Sequence, residues 1–345
     1  MAPKRKLNAH NVPSPEAFTP ERFEKELKNL AAKAKEDTWS NYVVEQFTVS
    51  FKTLALLALM ALSSTVSQLS LSPVYGSIPA SIWHSKVVTA GCFVGWSANI
   101  VLARKLPVKP ILLLPLIALY TPYIQFYLFQ LSGVFSATWG PLITESVTLF
   151  PLVALSATCI ANLLEDLDLP PQLPSFIKDA LPGIGSWALL RLFEGYSEAY
   201  VASNAGKSFF QTRIGLQLVL GASYSILAPS RLLAFAVPAL LHTALFNTHV
   251  PTSWALAALQ KTLPDGWVVL DRAESLTGYV SVIESLNDGI RVLRCDHSLL
   301  GGEWVKMAAE KVAEPIYGVF AMLEAVRLVN VPHPVPDSIA TALVM

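Results

Sequence analysis

The feature that most limits what this chain can fold into is the near absence of charge between Phe51 and Leu163. Soluble domains carry about 25% charged residues, whereas this chain of 345 residues has 14% charged and 53% hydrophobic residues. The side chains of fixed charge inside the stretch are few and scattered: Lys52, Lys86, Arg104, Lys105, Lys109 and Glu145. Such a composition predicts helices that span a membrane rather than the core of a soluble domain.

Breaks in the apolar pattern define the predicted spans. A span needs about 20 apolar residues to cross about 30 Å of hydrocarbon. The first stretch contains four candidates of that length, at residues 51–71, 83–103, 110–131 and 141–163. Two further apolar runs, Ile214–Ala228 and Leu232–Val250, flank a turn at Pro229-Ser230-Arg231. The sequence therefore predicts a mainly α fold, a polytopic membrane helical bundle of about six spans.

The segment Leu181–Val201 is apolar but carries Arg191, Glu194 and Glu198 at positions i, i+3 and i+7, which places the three charges on nearly one helix face. Charged residues at membrane depth are functional by default, whereas a helix in the membrane interface keeps them in contact with water. We favour the interfacial interpretation, which leaves six spans and returns the carboxy-terminal segment to the cytosol. If the segment crosses, the count is seven and that segment faces outward.

The distribution of basic residues predicts the orientation. Basic residues occur in the amino-terminal segment and in the loop 104–109, whereas the loops at 73–81 and 132–139 carry no charge. By the positive-inside rule, the amino terminus of this multi-pass membrane protein is cytosolic; the identity of the membrane stays open. We divide the chain into three parts: a cytosolic amphipathic segment at 1–50, a transmembrane domain at 51–250 and a carboxy-terminal domain at 251–345.

The remaining composition excludes several kinds of site and partner. The 25 basic and 25 acidic residues cancel, so no net field favours nucleic acid. The three cysteines, Cys92, Cys159 and Cys295, lie far apart without CxxC spacing, which excludes a disulfide framework or a zinc ribbon. His242 and His249 fit an interfacial position better than a metal site, and we predict no metal site. The expected partner is the lipid bilayer, and the oligomeric state stays open.

The composition after Pro251 is that of a small α/β domain. Residues 267–270 and 279–283 favour strands, and Asn287-Asp288-Gly289 is a strong hairpin signal before a further β-rich run at 290–293. Apolar residues recur at helical spacing from Glu314 to Val329. The chain stops at Ala342–Met345 in a strand-like run. The sequence predicts a β-hairpin, then a helix, then one further strand.

Two motifs in this domain carry a resemblance to a known family. The first is the run Ser275-Leu-Thr-Gly-Tyr-Val-Ser-Val-Ile-Glu284, and the second is Arg291-Val-Leu-Arg-Cys-Asp-His-Ser-Leu-Leu-Gly-Gly-Glu-Trp304. Together they resemble the fungal membrane-anchored branch of the spermidine/spermine synthase family, over about residues 265–345. The resemblance places Ser275, Tyr279 and Asp296 on a hairpin, and Glu314 and Tyr317 on the helix that follows it. It implies that Tyr279, Asp296 and Tyr317 bind a polyamine substrate.

The resemblance also implies a reaction and a missing part. Members of this family transfer an aminopropyl group from decarboxylated S-adenosylmethionine to a polyamine. In the family the cofactor lies on a glycine-rich turn after the first strand of a Rossmann-like domain, and here Ala342–Met345 would be that strand. We therefore expect a truncated, inactive chain that binds no cofactor and has no catalytic residue, decarboxylated S-adenosylmethionine being expected only for a full-length protein.

A second class of function stays open at this point. A polytopic transporter or channel would use the intramembrane charges Arg191, Glu194, Glu198 and Glu145 to line a polar path. A scaffold or anchor is a third, weaker interpretation. Extension of the reading frame beyond Met345 distinguishes the first two, because a glycine-rich turn there favours the synthase-like protein.

Overall fold

The structure, a computed structural model, describes residues 20–165, 167, 174–296, 298–305 and 314–315. Most of these residues are helical, and a small antiparallel sheet lies at the carboxy-terminal end. The α-helices of the described residues are α1 Pro20–Tyr75, α2 Ser77–Ser97, α3 Asn99–Lys105, α4 Pro110–Gln130, α5 Ser132–Val147, α6 Leu149–Glu165, α7 Ser175–Asn204, α8 Arg213–Leu227, α9 Val237–Leu245 and α10 Ser253–Gln260. Two 3₁₀ turns, Phe209–Gln211 and Arg231–Ala236, precede α8 and α9.

Three helix pairs form the bundle: α1 with α7, α2 with α6, and α4 with α8. The sequence Gly91-Cys-Phe-Val-Gly95 explains the second pair, since small residues four apart let two backbones approach closely. A Cβ atom at Gly95 would lie 2.2 Å from the carbonyl oxygen of Ala154 on α6. The buried core between these helices is aliphatic and includes Leu57 and Val153. Close contact of α2 and α6 therefore depends on Gly95 having no side chain.

Few of the described helices are long and apolar enough to cross a membrane. Two meet that criterion alone, the part Trp39–Tyr75 of α1 and the whole of α4. Two pairs meet it only together: α2 with α3, bent by 74°, and α5 with α6, bent by 40°. The described residues therefore offer two membrane spans, or four if each bent pair is one span. This is compatible with association with a membrane.

The prediction of about six spans is wrong. The apolar runs after residue 213 form helices at Arg213–Leu227 and Arg231–Leu245, which at 1.5 Å per residue are about 22 Å long. A helix of that length does not cross about 30 Å of hydrocarbon. Hydropathy located the apolar segments, but it could not show the bends or the early ends of these helices.

The segment around Arg191 forms one continuous helix, α7, which packs lengthwise against α1. Among the described helices it does not meet the criterion for a membrane span. Helix α1 is a single helix of 56 residues. It therefore has no break at residue 50, where the predicted amino-terminal segment meets the first predicted span. Its apolar part is buried in the bundle from about Leu56 onward, whereas Trp39, Phe47 and Phe51 are exposed. Glu24 and Lys28 form an exposed ion pair near its start.

The sheet has five antiparallel strands in sequence order. Their bounds are β1 Trp267–Glu274, β2 Tyr279–Ser285, β3 Ile290–Cys295, β4 Ser298–Trp304 and β5 Glu314–Pro315. The turn at Asn287-Asp288-Gly289 joins β2 to β3, with Ser285 paired to Ile290. The predicted hairpin and the strand predicted at 267–270 are confirmed, and the structure adds β4 and β5 to form a meander.

The expectation for the residues after this hairpin is corrected in part. Glu314 was predicted to begin a helix, but it pairs with Trp304 in the short strand β5. Tyr317, the rest of the predicted helix and the strand expected at Ala342–Met345 lie outside the described residues. The described part of this domain is therefore an antiparallel sheet, and the prediction of a Rossmann-like strand after it stays a prediction.

Candidate functional site

A cavity of about 400 Å³ lies where the helical bundle meets the sheet. Helices α1 and α4, the start of α8 and the loop after α9 form its walls on the bundle side, and the turns around β2 and β3 close it on the sheet side. Its volume is within the range of about 300–1,000 Å³ that is usual for ligand pockets. The wall contributed by α4 is partly aromatic, through Phe126 and Phe129. We take this junction cavity as the candidate functional site.

Arg213, the first residue of α8, joins the bundle to the sheet beside this cavity. Its side chain is only 5% exposed. Its Nε donates to the carbonyl oxygen of Leu69 on α1 over 2.9 Å, and one Nη donates to the carbonyl oxygen of Ser275 over 2.9 Å. Its other Nη lies 3.3 Å from Oε1 of Glu274, which also accepts a bond from the backbone N–H of Arg213. One buried guanidinium therefore connects α1, α8 and the end of β1.

Two cations lie over the ring of Tyr279, the first residue of β2. One comes from α8 and the other from β1. The guanidinium carbons of Arg213 and Arg272 lie 5.2 and 5.1 Å from the ring centroid. The ring of His249 stacks on it at 5.5 Å, and the Tyr279 hydroxyl donates to the carbonyl oxygen of His249 over 3.2 Å. Cations are attracted to the negative face of an aromatic ring. These contacts fix the loop after α9 against the sheet.

Asp296 lies opposite Tyr279 at the end of the hairpin. Its Oδ1 accepts a bond from the backbone N–H of Tyr279 over 2.9 Å, and its own backbone N–H donates to the Tyr279 carbonyl oxygen over 3.0 Å. Gly278, the residue before Tyr279, has φ +150°, and a Cβ atom at this position would lie 1.5 Å from Oδ2 of Asp296. The carboxylate therefore fits against the strand only because residue 278 is a glycine.

The electrostatics of the junction favour the uncharged forms of His249 and Tyr279. Burial, together with the nearby cations of Arg272 and Arg213, lowers the pKa of His249 to about 4. Burial also raises the pKa of Tyr279, and Glu274 adds to that rise. The pKa of Glu274 is raised by burial, although Arg213 opposes the shift. At neutral pH His249 is therefore a neutral imidazole facing the cavity.

The lowered pKa of His249 predicts a loss of stability in mild acid. Between pH 6.5 and 4 the unfolded chain binds a proton on this histidine that the folded chain does not bind, so stability falls as the pH falls through that window. From pH 7 to pH 5 the expected loss from this residue is about 1–2 kcal/mol. Thermal unfolding in detergent micelles at the two pH values should show a larger fall for the wild-type chain than for His249→Gln. Equal falls would contradict the assignment, since Glu274 is common to both proteins.

A second polar cluster lies inside the bundle, away from the junction cavity. His84 on α2 contacts Oε1 of Glu145 on α5 through Nδ1 over 2.6 Å, and Ser67 donates to the same oxygen over 3.0 Å. The Ser64 hydroxyl donates to Oε1 of Glu194 on α7 over 2.9 Å and lies 2.9 Å from Nε2 of His84. The hydrogen bonds form one chain through α1, α2, α5 and α7. Its members are all buried.

The three charged side chains that the sequence placed on one face of α7 differ in their exposure to solvent. Glu194 is buried and pairs with Arg191 over 2.5 Å, while the Arg191 side chain is 63% exposed. Glu198 is exposed. Glu145 belongs to the same buried hydrogen-bond chain as Glu194, although no sequence pattern indicated that His84 and Ser64 would join them. A helical pattern shows the face of one helix but not the partner on another.

At the junction, the structure brings Tyr279 and Asp296 together as the hairpin predicted, and Tyr317 lies outside the described residues. Sequence reasoning missed Arg213, Gln125 and Asn247, which line the same cavity from the bundle side. The signal in the sequence was weak, because a buried arginine or amide in an apolar helix reveals nothing about its partner. Among the described residues there is no group of three histidine, cysteine or acidic side chains that could hold a metal ion.

These features define a helical protein, with two to four possible membrane spans, in which a cavity lies between the helical bundle and an antiparallel sheet. The chain is 38% identical over 299 residues to an N-terminal histidine N-methyltransferase of Emericella nidulans. The alignment covers 84% of this chain and 53% of that protein, so the chain spans about half the length of the relative that it matches. No family model and no solved structure matches the chain.

This match corrects the functional expectations drawn from the sequence. The resemblance to spermidine synthases, with aminopropyl transfer and polyamine biosynthesis, is wrong, because the relative aligned over most of the chain is a methyltransferase. The expectation that the chain has no cofactor is overturned by the same match, since methyl transfer requires a methyl donor. The transporter alternative is not supported either. Two acids proposed to line a path, Glu145 and Glu194, are held in hydrogen bonds between helices.

Proposed function

We propose that this chain is part of a membrane-associated enzyme that methylates a nitrogen of an amino-terminal histidine in a protein substrate. The observation that carries the proposal is the 38% identity over 299 residues to an N-terminal histidine N-methyltransferase. The match extends over most of the chain and is not confined to the sheet. The helical bundle and the sheet are therefore both parts of the proposed enzyme.

The proposed reaction needs a methyl donor, and we infer that it is S-adenosylmethionine. In methyl transfer from a sulfonium donor, the bond from sulfur to the methyl carbon breaks, a bond from the histidine nitrogen to that carbon forms, and one proton leaves the histidine. The described sheet is antiparallel. It has no glycine-rich turn between a parallel strand and a helix, the element that commonly binds such nucleotides. None of the described residues is assigned to the donor.

Membrane association is the second part of the proposal. The apolar part of α1, helix α4 and the two bent helix pairs support insertion into a bilayer, which would be the partner of the exposed apolar side chains on these helices. The division at about residues 50 and 250 and the cytosolic amino terminus stay predictions from the distribution of charge. In this arrangement the sheet and the junction cavity lie at one end of the bundle.

The test is a methylation assay on membranes from cells that express the complete gene product. We expect a short peptide that begins with histidine to gain the mass of one methyl group when S-adenosylmethionine is added, with fragmentation placing the methyl on the first residue. The matched control peptide has the same composition, with histidine moved to the second position, and should stay unmodified. The activity should remain in the membrane pellet after an alkaline carbonate wash. Absence of methylation, or methylation of both peptides alike, would refute the proposed function.

A further inference from the structure

A groove of about 320 Å³ lies on the side of the helical bundle. Helices α2 and α7 form its two walls through Phe93, Trp96, Trp187 and Leu190, and α1 and α6 form its floor. Both wall helices pack on α1 and not closely on each other, which leaves the space between them open. Phe93 is 72% exposed, although it is a large apolar side chain. We call this feature the α2–α7 groove, and no described residue fills it.

The chemistry of the α2–α7 groove suits an apolar ligand. The hydroxyl of Thr89 donates to the carbonyl oxygen of Ser85 over 2.8 Å. The hydroxyl of Ser186 donates to the carbonyl oxygen of Gly183 over 2.9 Å. The other lining side chains are apolar or aromatic, apart from the thiol of Cys92, which is a weak donor. A peptide or a nucleotide would leave polar groups unpaired in such a groove, whereas a hydrocarbon chain would not.

The two walls of the groove run in opposite directions. At one end, a Cβ atom on Gly183 of α7 would lie 3.4 Å from the ring of Trp96 on α2. Toward the other end, His84 on α2 and Glu194 on α7 contact the same hydroxyl group of α1. The lining residues of α2 lie within 89–96, which is about 10 Å of helix. The groove therefore has room for about a third of an apolar path of about 30 Å through the hydrocarbon layer.

A cation lies at the second end of the groove. The guanidinium of Arg191 lies 6.0 Å from the ring centroid of Trp187 and pairs with Glu194 through one nitrogen. Because its side chain is 63% exposed and an arginine has five N–H donors, donors remain for a second partner. Lys86, exposed on α2 toward the same end, lies over the ring of Trp83 and has no acidic partner among the described residues. Basic side chains between helices near a membrane surface bind anionic headgroups.

We propose that the α2–α7 groove binds one acyl chain of an anionic phospholipid, whose phosphate group contacts Arg191 and Lys86. This inference rests on the membrane association that is part of the proposed function. Each buried methylene group contributes about 0.8 kcal/mol, and a guanidinium matches the geometry of phosphate oxygens. An apolar groove with cations toward one end is complementary to a molecule that has a hydrocarbon chain and an anionic head. In this arrangement Arg191 lies at the level of the headgroups.

The test measures lipid binding to the full chain, freed of lipid and held in detergent micelles. Phosphatidylglycerol or phosphatidylcholine of equal chain length is added, and native mass spectrometry counts the molecules that stay bound. We expect one tightly bound phosphatidylglycerol per chain, with a Kd about tenfold below that of phosphatidylcholine, because the choline cation is repelled by Arg191 and Lys86. Inorganic phosphate should not displace the lipid, since it has no chain to fill the groove.

Two kinds of variant separate the headgroup from the acyl chain. Arg191→Gln/Glu194→Gln removes the cation without leaving a buried carboxylate unpaired, and the preference for phosphatidylglycerol should fall to about twofold or less. Ser186→Trp fills the groove from α7, and Thr89→Trp fills it from α2. Each of these two should raise the Kd for both lipids about tenfold or more.

The matched control is Ile184→Trp, which adds the same ring to α7 at a position that is 68% exposed and does not line the groove. It should change the Kd for either lipid by about twofold or less. Thermal unfolding in the same micelles shows whether each variant is folded, and the two groove-filling variants are read from whichever of them unfolds as the control does.

Three results would overturn the inference: equal lipid affinity in wild type and the groove-filling variants, an unchanged headgroup preference in the double variant, or displacement of the lipid by inorganic phosphate. Failure of the proposed function is a separate observation. If the membrane association is wrong, the chain leaves the membrane pellet during the carbonate wash. If only the proposed methylation is wrong, the peptide stays unmodified while lipid binding follows the expected order.

Discussion

Replacement of Arg213 by methionine is expected to lower the free energy of unfolding by about 3–5 kcal/mol, because it leaves a buried carboxylate without its countercharge. Glu274 has a side chain only 3% exposed, and its nearest cation is Arg213. The carbonyl oxygens of Leu69 and Ser275 lose their donors at the same time. Thermal unfolding followed by tryptophan fluorescence in detergent micelles measures the effect.

The double variant Arg213→Met/Glu274→Met separates loss of the pair from loss of the charge balance. Replacing both members of a buried ion pair by apolar residues is often nearly neutral, so the double variant should be more stable than Arg213→Met alone. Arg231→Met is the matched control at an exposed position and should change stability by less than about 0.5 kcal/mol. A double variant no more stable than the single one would show that the carbonyl contacts, not the carboxylate, determine the effect.

Contacts between residues close in sequence could be predicted from the sequence, whereas the contacts between the bundle and the sheet could not. Asn287-Asp288-Gly289 joins two β-rich runs, so local turn chemistry was enough to predict the pairing of Ser285 with Ile290. Arg213 and Glu274 lie 61 residues apart. Nothing in either local pattern specifies the other, because a buried ion pair depends on how two separately folded elements meet. The same reason explains why Gln125 and Asn247 were not recognised.

The helical segments show the same limit in a different form. Apolar composition correctly located most helices of the bundle, because a run of apolar residues indicates burial in protein or lipid. It could not distinguish a straight helix from the 74° bend between α2 and α3, or show that the last two apolar helices are too short to cross. Hydropathy depends only on the composition of a segment, so it does not show where a helix bends or ends.

The functional prediction was wrong because it inferred a reaction from the local structure of a β-hairpin. Tyr279 and Asp296 do lie together on a hairpin, as the two motifs suggested. The backbone N–H of Tyr279 bonds the Asp296 carboxylate, and the backbone N–H of Asp296 bonds the Tyr279 carbonyl oxygen, which holds the turn. Such a hairpin determines the local geometry at the end of a strand. It does not determine whether an enzyme transfers an aminopropyl or a methyl group. The alignment over most of the chain favours methyl transfer instead.

Replacement of Glu145 by leucine is expected to lower the free energy of unfolding by about 3–5 kcal/mol, because it breaks the hydrogen-bond chain inside the bundle. The Glu145 side chain is fully buried. Its Oε1 holds both Nδ1 of His84 and the hydroxyl of Ser67. The Ser64 hydroxyl uses its single hydrogen to bond Glu194, so Nε2 of His84 must donate to Ser64.

These contacts predict a graded series at residue 145. Glu145→Gln keeps an oxygen that accepts from His84 and Ser67 but gives up the charge, so it should cost about 1–2 kcal/mol, clearly less than the leucine variant. Glu198→Leu is the matched control on the exposed face of α7 and should stay within about 0.5 kcal/mol of wild type. Thermal unfolding in detergent micelles gives the order. If the glutamine and leucine variants were equally unstable, the charge of Glu145 rather than its acceptor oxygen would hold α2 and α5 together. If neither differed from Glu198→Leu, the chain of hydrogen bonds would not contribute to the stability of the bundle.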